Sequence, residues 1–399
     1  MSNPQTCRWG ILATGGIAKA FSKDLLVNPL TRGVTDVRHI ITAAASSSGA
    51  SRATRFLQEV GAPSNAKAYG TYAELVLDDN IDIIYVATPH SHHYQNVMLC
   101  LEAGQNVLCE KAFTVNAAQA RQLVDKAHAK NLFLMEAVWI RYFPLSRYLK
   151  DTISSGRIGS VQRVIADLSV PISPETADSD SLSRIEDPQT AGGALLELGI
   201  YPINWCFQAI YNLLPPDVRQ PPRVNAIIKK YPSGVDETTT ILLTFPRPVA
   251  LGGDAHGIAT CSITPGSRWR ETRTSEPSVR ILGTKGEIEL YHPAFRPTRT
   301  RLMTEDGEVL EKSWPQPGPG ARSGWYNWYG AECQPEGEAR GLAWQADEAA
   351  RALSTGQKES SQQNLEESVV IMEVMDQVRQ QGGLMYPEKL EFTAYPLEL

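Results

Sequence analysis

Short apolar runs alternate with amphipathic stretches over residues 7–137, and nothing else in the 399-residue sequence restricts the fold as tightly. The apolar runs are RWGILA, VRHIITAAA, IDIIYVAT, NVLCE and NLFLMEA; between them lie ATRFLQEVG, QNVMLCLEAG and AAQARQLVDKAHAK, which carry helical spacing. Strands that alternate with helices pair in parallel through right-handed crossovers. The strand runs are almost continuously apolar, as expected when helices cover both faces of a sheet. A doubly wound parallel sheet follows.

The pattern changes after Arg141-Tyr142-Phe143-Pro144. At this length one hydrophobic core gives way to two, so the expected domains are 1–141 and 142–399. In the second, RVNAIIKKY, TTTILLTF, SVRILGTKGEIELYH and TRLMTEDGEVLEKSW read as successive strands, with Gly-Thr-Lys-Gly and Glu-Asp-Gly as hairpin turns. The expected fold class is therefore α/β, with the doubly wound domain followed by an α+β domain built on a largely antiparallel open sheet. Residues 315–341, rich in Pro, Gly and aromatics, read as a long surface loop or as one that folds against another element or subunit. The helical patterns within 342–381 are expected to pack back near the first domain.

The first strand runs into Gly10-Ile11-Leu12-Ala13-Thr14-Gly15-Gly16-Ile17-Ala18, a G-x-G-x-x-A type turn with Ala13 in the first glycine's place. A glycine at 15 lets the backbone approach a pyrophosphate at the following helix N-terminus, which is the Rossmann arrangement. Ala13, Thr14, Gly15, Gly16 and Ile17 are thus candidate cofactor contacts. The second strand ends in Ala45-Ser46-Ser47-Ser48, with Arg52 nearby and no Asp or Glu to hold a ribose diol. Ser46, Ser47, Ser48 and Arg52 suit a 2′-phosphate, which points to NADP. The competing reading is a solvated helix start capped by serine.

A later apolar run ends in Cys109-Glu110-Lys111, placing Lys111 at the carboxyl edge of the sheet, where doubly wound folds bind ligands. Glu197 and Tyr201 stand four apart in GGALLELGIYPINW, on one face of a helix. An ammonium near Tyr201 lowers the phenol's pKa toward that of a general acid/base; the plain alternative is a core tyrosine on a Leu-rich helix. Thr88, Pro89, His90 and His93 follow another strand. Three imidazoles within four residues suggest zinc, but no carboxylate or thiol completes a familiar ligand spacing, so no metal is expected.

A net charge of −6 without a basic run excludes general nucleic-acid binding. The cysteines at 7, 100, 109, 206, 261 and 333 form no CxxC and read as buried free thiols of a reducing compartment. No signal-peptide pattern or membrane span is read, and the cytoplasm is the expected location.

Taken together, GILATGGIA, EKAFT and GGALLELGIYPINW resemble the Gfo/Idh/MocA oxidoreductase family over nearly the whole chain. The strings MEAVWIRYFP, GIYPINW and WQADEAARAL look most like its sugar- and dihydrodiol-oxidising branch. That resemblance implies a catalytic pair, Lys111 supporting Tyr201, with Trp139 and Glu197 lining the substrate and the Thr88 to His93 segment and Glu110 on the cofactor side; Arg141 is read either as a substrate contact or as an anchor of the hinge. It implies oxidation of an aldopyranose such as D-xylose at C1, or of a trans-dihydrodiol, another aldose or a dicarbonyl in the reverse sense, by a homodimer formed through the C-terminal sheet. A non-catalytic NADP-binding sensor is the reading from a different class. Two departures, Ala13 for glycine and Ala112 for the family's proline, put the rigidity of those turns in question.

Overall fold

The computed structural model describes residues 4–170, 184–264, 276–327 and 336–397. They divide into two compact units, 1–139 with 316–369 and 388–399, and 140–315 with 370–387. This differs from a single boundary at 141/142: the first unit reclaims two later segments.

Six parallel strands form the sheet of the first unit: β1 (Gln5–Leu12), β2 (Val37–Ala45), β3 (Lys67–Tyr69), β4 (Ile83–Val86), β5 (Val107–Glu110) and β6 (Leu134–Ala137), in the order β3-β2-β1-β4-β5-β6. The order reverses between β1 and β4, which opens a ligand crevice at the strands' carboxyl ends. Helices α1 (Gly16–Leu25), α2 (Ala50–Val60), α3 (Tyr72–Leu75), α4 (His90–Glu102) and α5 (Ala117–Ala129) connect the strands. Trp9, Phe21 and Tyr85 are fully buried, the last two stacked with ring centroids 3.8 Å apart.

The reclaimed segments are held by buried charges. Asp24 on α1 has no exposure, and its carboxylate accepts from the backbone N–H of Arg340 (3.1 Å), Gly341 (2.8 Å) and Leu342 (2.8 Å), and from Asn327 Nδ2 (2.6 Å). It thereby supplies the cap that helix α8 lacks, for α8 follows directly at Ala343–Ser354 without a side-chain cap of its own. Arg32 pairs in two-pronged fashion with Asp347 (2.7 and 2.8 Å), which also meets His39 Nε2 at 2.8 Å. Trp9 Nε1 donates to His39 Nδ1 (3.1 Å), which assigns the imidazole proton to Nε2.

In the second unit, α6 (Pro144–Ser154) precedes β7 (Val161–Ser169), and α7 (Ile200–Ala209) precedes a run of strands: β8 (Arg223–Lys230), β9 (Asp236–Phe245), β10 (Ala255–Ser262), β11 (Pro277–Gly283), β12 (Gly286–Tyr291), β13 (Arg299–Thr304) and β14 (Val309–Ser313). The order is β14-β13-β12-β11-β7-β10-β9-β8, antiparallel except where β7 meets β10. Strand β10, AHGIATCS, had no clear signature in the sequence because small residues replace the usual β-branched run. Its smallness is needed: a Cβ at Gly257 would lie 2.8 Å from Cys206 Sγ on α7, and one at Gly199 would lie 3.0 Å from Cys261 Sγ on β10. The helix therefore lies unusually close to the sheet.

Helices α9 (Leu365–Gly382) and α10 (Glu388–Glu391) complete the chain. Gln381 covers the open edge of β8, its amide accepting from Ala226 N (2.8 Å) and donating to Val224 O (2.9 Å) like a further strand residue. Cys7, Cys100, Cys109, Cys206 and Cys261 are buried and unpaired, as read from their spacing; Cys333 lies outside the described residues. No helix among the described residues is long and apolar enough to cross a membrane.

Replacing Asp24 with Ala leaves three backbone N–H groups at the start of α8 without their acceptor. The expected cost is roughly 3 kcal/mol of stability, read from the denaturant midpoint; an unchanged midpoint contradicts the capping role.

Candidate active site

The first turn of the parallel sheet is built to receive an anion. Ala13 adopts φ +80°, a left-handed conformation that glycine takes more easily, and its N–H is bonded to Ala45 O (3.1 Å). Gly15 precedes α1 without any side-chain cap; open space surrounds the position of its absent Cβ, and no acidic residue occupies the first turn. The amides of Gly16, Ile17 and Ala18 are the uncompensated donors of a helix N-terminus, so this donor set fits a pyrophosphate.

Beside it, Thr14 Oγ1 donates to Ser46 Oγ (3.3 Å), which also accepts from Ser48 N (3.2 Å). Ser46 is buried and its hydroxyl locks the two turns together, whereas Ser47, Ser48 and Arg52 are exposed at the start of α2. That helix is preceded by Gly49 at φ +101° and has no side-chain cap. The serines therefore do not serve as its cap, and the hydroxyls of Ser47 and Ser48 and the Arg52 guanidinium stand where a phosphate can reach them.

At the end of β4, Pro89 precedes α4 and buried His90 begins it. His93 is fully buried, with Nδ1 2.9 Å from Ala112 O and Nε2 2.8 Å from Thr88 O. Both ring nitrogens face backbone carbonyls and the neutral ring donates to one of them, so His93 braces the Thr88 and Ala112 loops against each other. Burial pushes its pKa down to about 4.

Lys111 sits on a corner fixed from several sides. Its own N–H faces Glu110 Oε2 (3.3 Å), Tyr85 Oη donates to Glu110, and His93 holds the Ala112 carbonyl. From β6, buried Glu136 accepts from Phe113 N (3.0 Å) and from Gln363 Nε2 (3.0 Å). These bonds anchor the corner where Ala112 replaces proline. Sequence reasoning did not single out Glu136, although a lone carboxylate inside the apolar run NLFLMEA was the available signal.

The second unit carries the other set. Tyr201 lies on α7 immediately after a π-helical turn, Leu195–Gly199, that the α-periodic reading did not anticipate. Glu197, within that turn, forms a two-pronged ion pair with Arg184 (3.0 and 3.3 Å). Arg141, buried on the 3-10 turn Trp139–Tyr142 together with Trp139, donates from Nε to Asn204 Oδ1 (2.7 Å). Asn204 in turn donates to Ile200 O (2.9 Å). The ring of Phe295 lies 6.2 Å from that of Tyr201, centroid to centroid. Arg184, Asn204 and Phe295 were not singled out in the sequence; Asn204 lies within GIYPINW itself, whereas Arg184 and Phe295 come from segments with no motif of their own.

A parallel sheet of this order with an uncapped glycine turn after β1, joined to a unit built on an open eight-stranded sheet, defines a dinucleotide-binding oxidoreductase. Residues 7–138 match the oxidoreductase family GFO/IDH/MocA with its NAD-binding Rossmann fold, and residues 146–289 match the GFO/IDH/MocA C-terminal domain. The chain belongs to the Gfo/Idh/MocA oxidoreductase family. It is 48% identical, over 98% of its length and 96% of the relative's, to a D-xylose 1-dehydrogenase (NADP(+)) of Hypocrea jecorina. It is 34% identical, over 96% of its length and 98% of the relative's, to a trans-1,2-dihydrobenzene-1,2-diol dehydrogenase of Macaca fascicularis. Among solved structures, a levoglucosan dehydrogenase in complex with NADH and levoglucosan shares the fold, with TM-score 0.74 and 18% identity over 95% of this chain and 98% of that one.

The His93 brace predicts an acid limit to stability. Its folded-state pKa is depressed below the ordinary 6.5, so its contribution is complete above pH 6.5 and is lost as pH falls toward about 4. His93→Gln is expected to flatten that part of the stability-pH curve measured by thermal unfolding; an unaltered slope contradicts the brace.

Proposed function

We propose that the chain oxidises an aldopyranose at C1, D-xylose to D-xylonolactone, with NADP as the acceptor. The observation that carries this reading is the 48% identity, over nearly all of both chains, to an NADP-dependent D-xylose 1-dehydrogenase. When bound, NADP supplies the two-electron acceptor for the hydride leaving C1. The chain's own residues do the rest. Tyr201 takes the proton of the C1 hydroxyl as the carbonyl of the lactone forms, and the Lys111 ammonium favours the phenolate that does so. Glu197, Arg141 and Trp139 orient the sugar, and the amides at Gly15 to Ala18 hold the pyrophosphate. Arg52, with Ser47 and Ser48, binds the 2′-phosphate. Glu110 and Glu136 keep Lys111 in place.

A second reading, oxidation of a trans-dihydrodiol of an arene, is favoured by the relatives of that activity at 34% identity. The five buried, unpaired thiols support a cytosolic location.

We also propose a homodimer formed through the eight-stranded sheet. The strand registers align Leu242, Ile258 and Ile165 in one row on a face that leaves Leu242 half-exposed. The row continues through Arg280, Glu289, Arg301 and Glu311, charges of alternating sign that can match a symmetry-related copy.

Tyr201→Phe is expected to lower kcat by about 10²–10⁴-fold with NADP affinity retained; unchanged turnover removes the assignment. Arg52→Ala should raise the KM for NADP by about tenfold and leave that for NAD unchanged, and an equal effect on both rejects the 2′-phosphate role. Leu242→Arg should convert the dimer to a monomer in light scattering, and a wild-type chain of monomer mass contradicts the interface.

A further inference from the structure

We propose that Asp236 is a positioning residue for the proton-transfer segment, capping as an anion, from the neighbouring strand, the helical turn that carries Glu197 and leads into Tyr201. This rests on the reading of Tyr201 as the group that takes the substrate's proton.

Asp236 is the first residue of β9 and has no exposure. Its Oδ2 accepts from the backbone N–H of Leu195 (2.6 Å), the first residue of the π-helical turn, and from Thr239 Oγ1 (2.8 Å). Its Oδ1 makes no hydrogen bond among the described residues and lies against Gly193. A Cβ at Gly193 would stand 2.1 Å from that oxygen, and Gly193 adopts φ +113°, so both space and backbone require glycine there. The neighbouring Gly192 carbonyl accepts from Tyr386 Oη (3.1 Å), whose ring lies under the Arg379 guanidinium at 4.8 Å. The two glycines that open the Glu197–Tyr201 segment thus meet two side chains that lie far away in sequence, Asp236 and Tyr386.

The chemistry at this junction is not what stability alone asks for. Burial raises the Asp236 pKa to about 6, against the opposing pull of Thr239, Leu195 N–H and Arg379; the buried Cys261 thiol also faces it. The folded-state value lies above the ordinary 3.8, so between those values the folded chain holds the proton that the unfolded chain releases. The group's contribution to stability therefore grows as pH falls through about 6. Ionised Asp236 costs stability at neutral pH, where an amide of the same shape would cost less. What the ionised form adds is negative charge at the N-terminal end of a helical segment, bonded to its first amide, which fixes that segment's position and rotation. Tyr201 lies six residues further on. Acidification thus strengthens this corner of the fold while weakening the hold on the segment, and the two effects have opposite signs.

The test compares Asp236→Asn with the wild-type enzyme in steady-state oxidation of D-xylose by NADP, with kcat followed over pH and thermal unfolding recorded in parallel. Asp236→Asn is expected to fold with an unchanged or higher midpoint and to lower kcat about tenfold at neutral pH, with KM for both substrates altered less than twofold. It should also lose the acid limb centred near pH 6 that the wild type shows. A kcat within twofold of wild type, or an acid limb that persists in Asp236→Asn, overturns the proposal. If Asp236→Asn does not fold, Thr239→Val serves instead: it removes one donor to the carboxylate and is expected to move the acid limb to higher pH, and an unmoved limb overturns the proposal. Failure here is separable from failure of the underlying reading: if Tyr201→Phe abolishes turnover while Asp236→Asn behaves as wild type, only the role of Asp236 falls.

Discussion

A carboxylate buried against backbone N–H groups is the interaction on which this structure turns. Asp24 holds the start of α8, Glu136 holds Phe113 beside Lys111, and Asp236 holds Leu195 ahead of Tyr201. Each solves the same problem. Helix starts and tight corners leave donors without partners, and a buried donor without an acceptor costs on the order of 1–3 kcal/mol. In each case the carboxylate comes from an element remote in sequence, so the bond that satisfies the donor also fixes two distant segments against each other.

The opposite arrangement marks the cofactor turn. After β1 and again after β2, a helix starts with glycine before it and no side-chain cap, and the donors are left for a ligand. The chain caps other helix starts from its own side chains, for example through the Thr71–Glu74 box at α3 and Asn116 at α5. Helices α4 and α6 also start without a side-chain cap, each beside a proline, so the glycine and the open space at Gly15 are what distinguish the turn after β1. Ala13 fits this picture: its left-handed backbone keeps the turn's shape, and the functional amides belong to the residues after it.

Much of this was legible in the sequence, and the exceptions have physical causes. Parallel strands buried on both faces write themselves as apolar runs, so the first sheet and the positions of Ala13 to Ile17 and Lys111 could be read directly. Strand β10 is hidden because it is small where α7 approaches; the return of the 342–369 helical stretch to the first unit is expected from its pattern, whereas the pairs that hold it, such as Arg32–Asp347, are announced by no local pattern. The three histidines carry a ligand-like spacing, yet the His93 ring lies between two backbone carbonyls and donates to one of them. Arg184, paired with Glu197, lies in a polar stretch of the sequence with no motif. Side chains that act through long-range contacts leave no period to detect.

The central claim is that this fold serves NADP-dependent oxidation of a sugar. Its most direct test is the initial rate of nicotinamide reduction, with D-xylose, D-glucose, L-arabinose and a trans-dihydrodiol each offered with NADP and with NAD. The account predicts that D-xylose with NADP gives the highest kcat/KM. Preference for NAD, or for the dihydrodiol over every sugar, contradicts it.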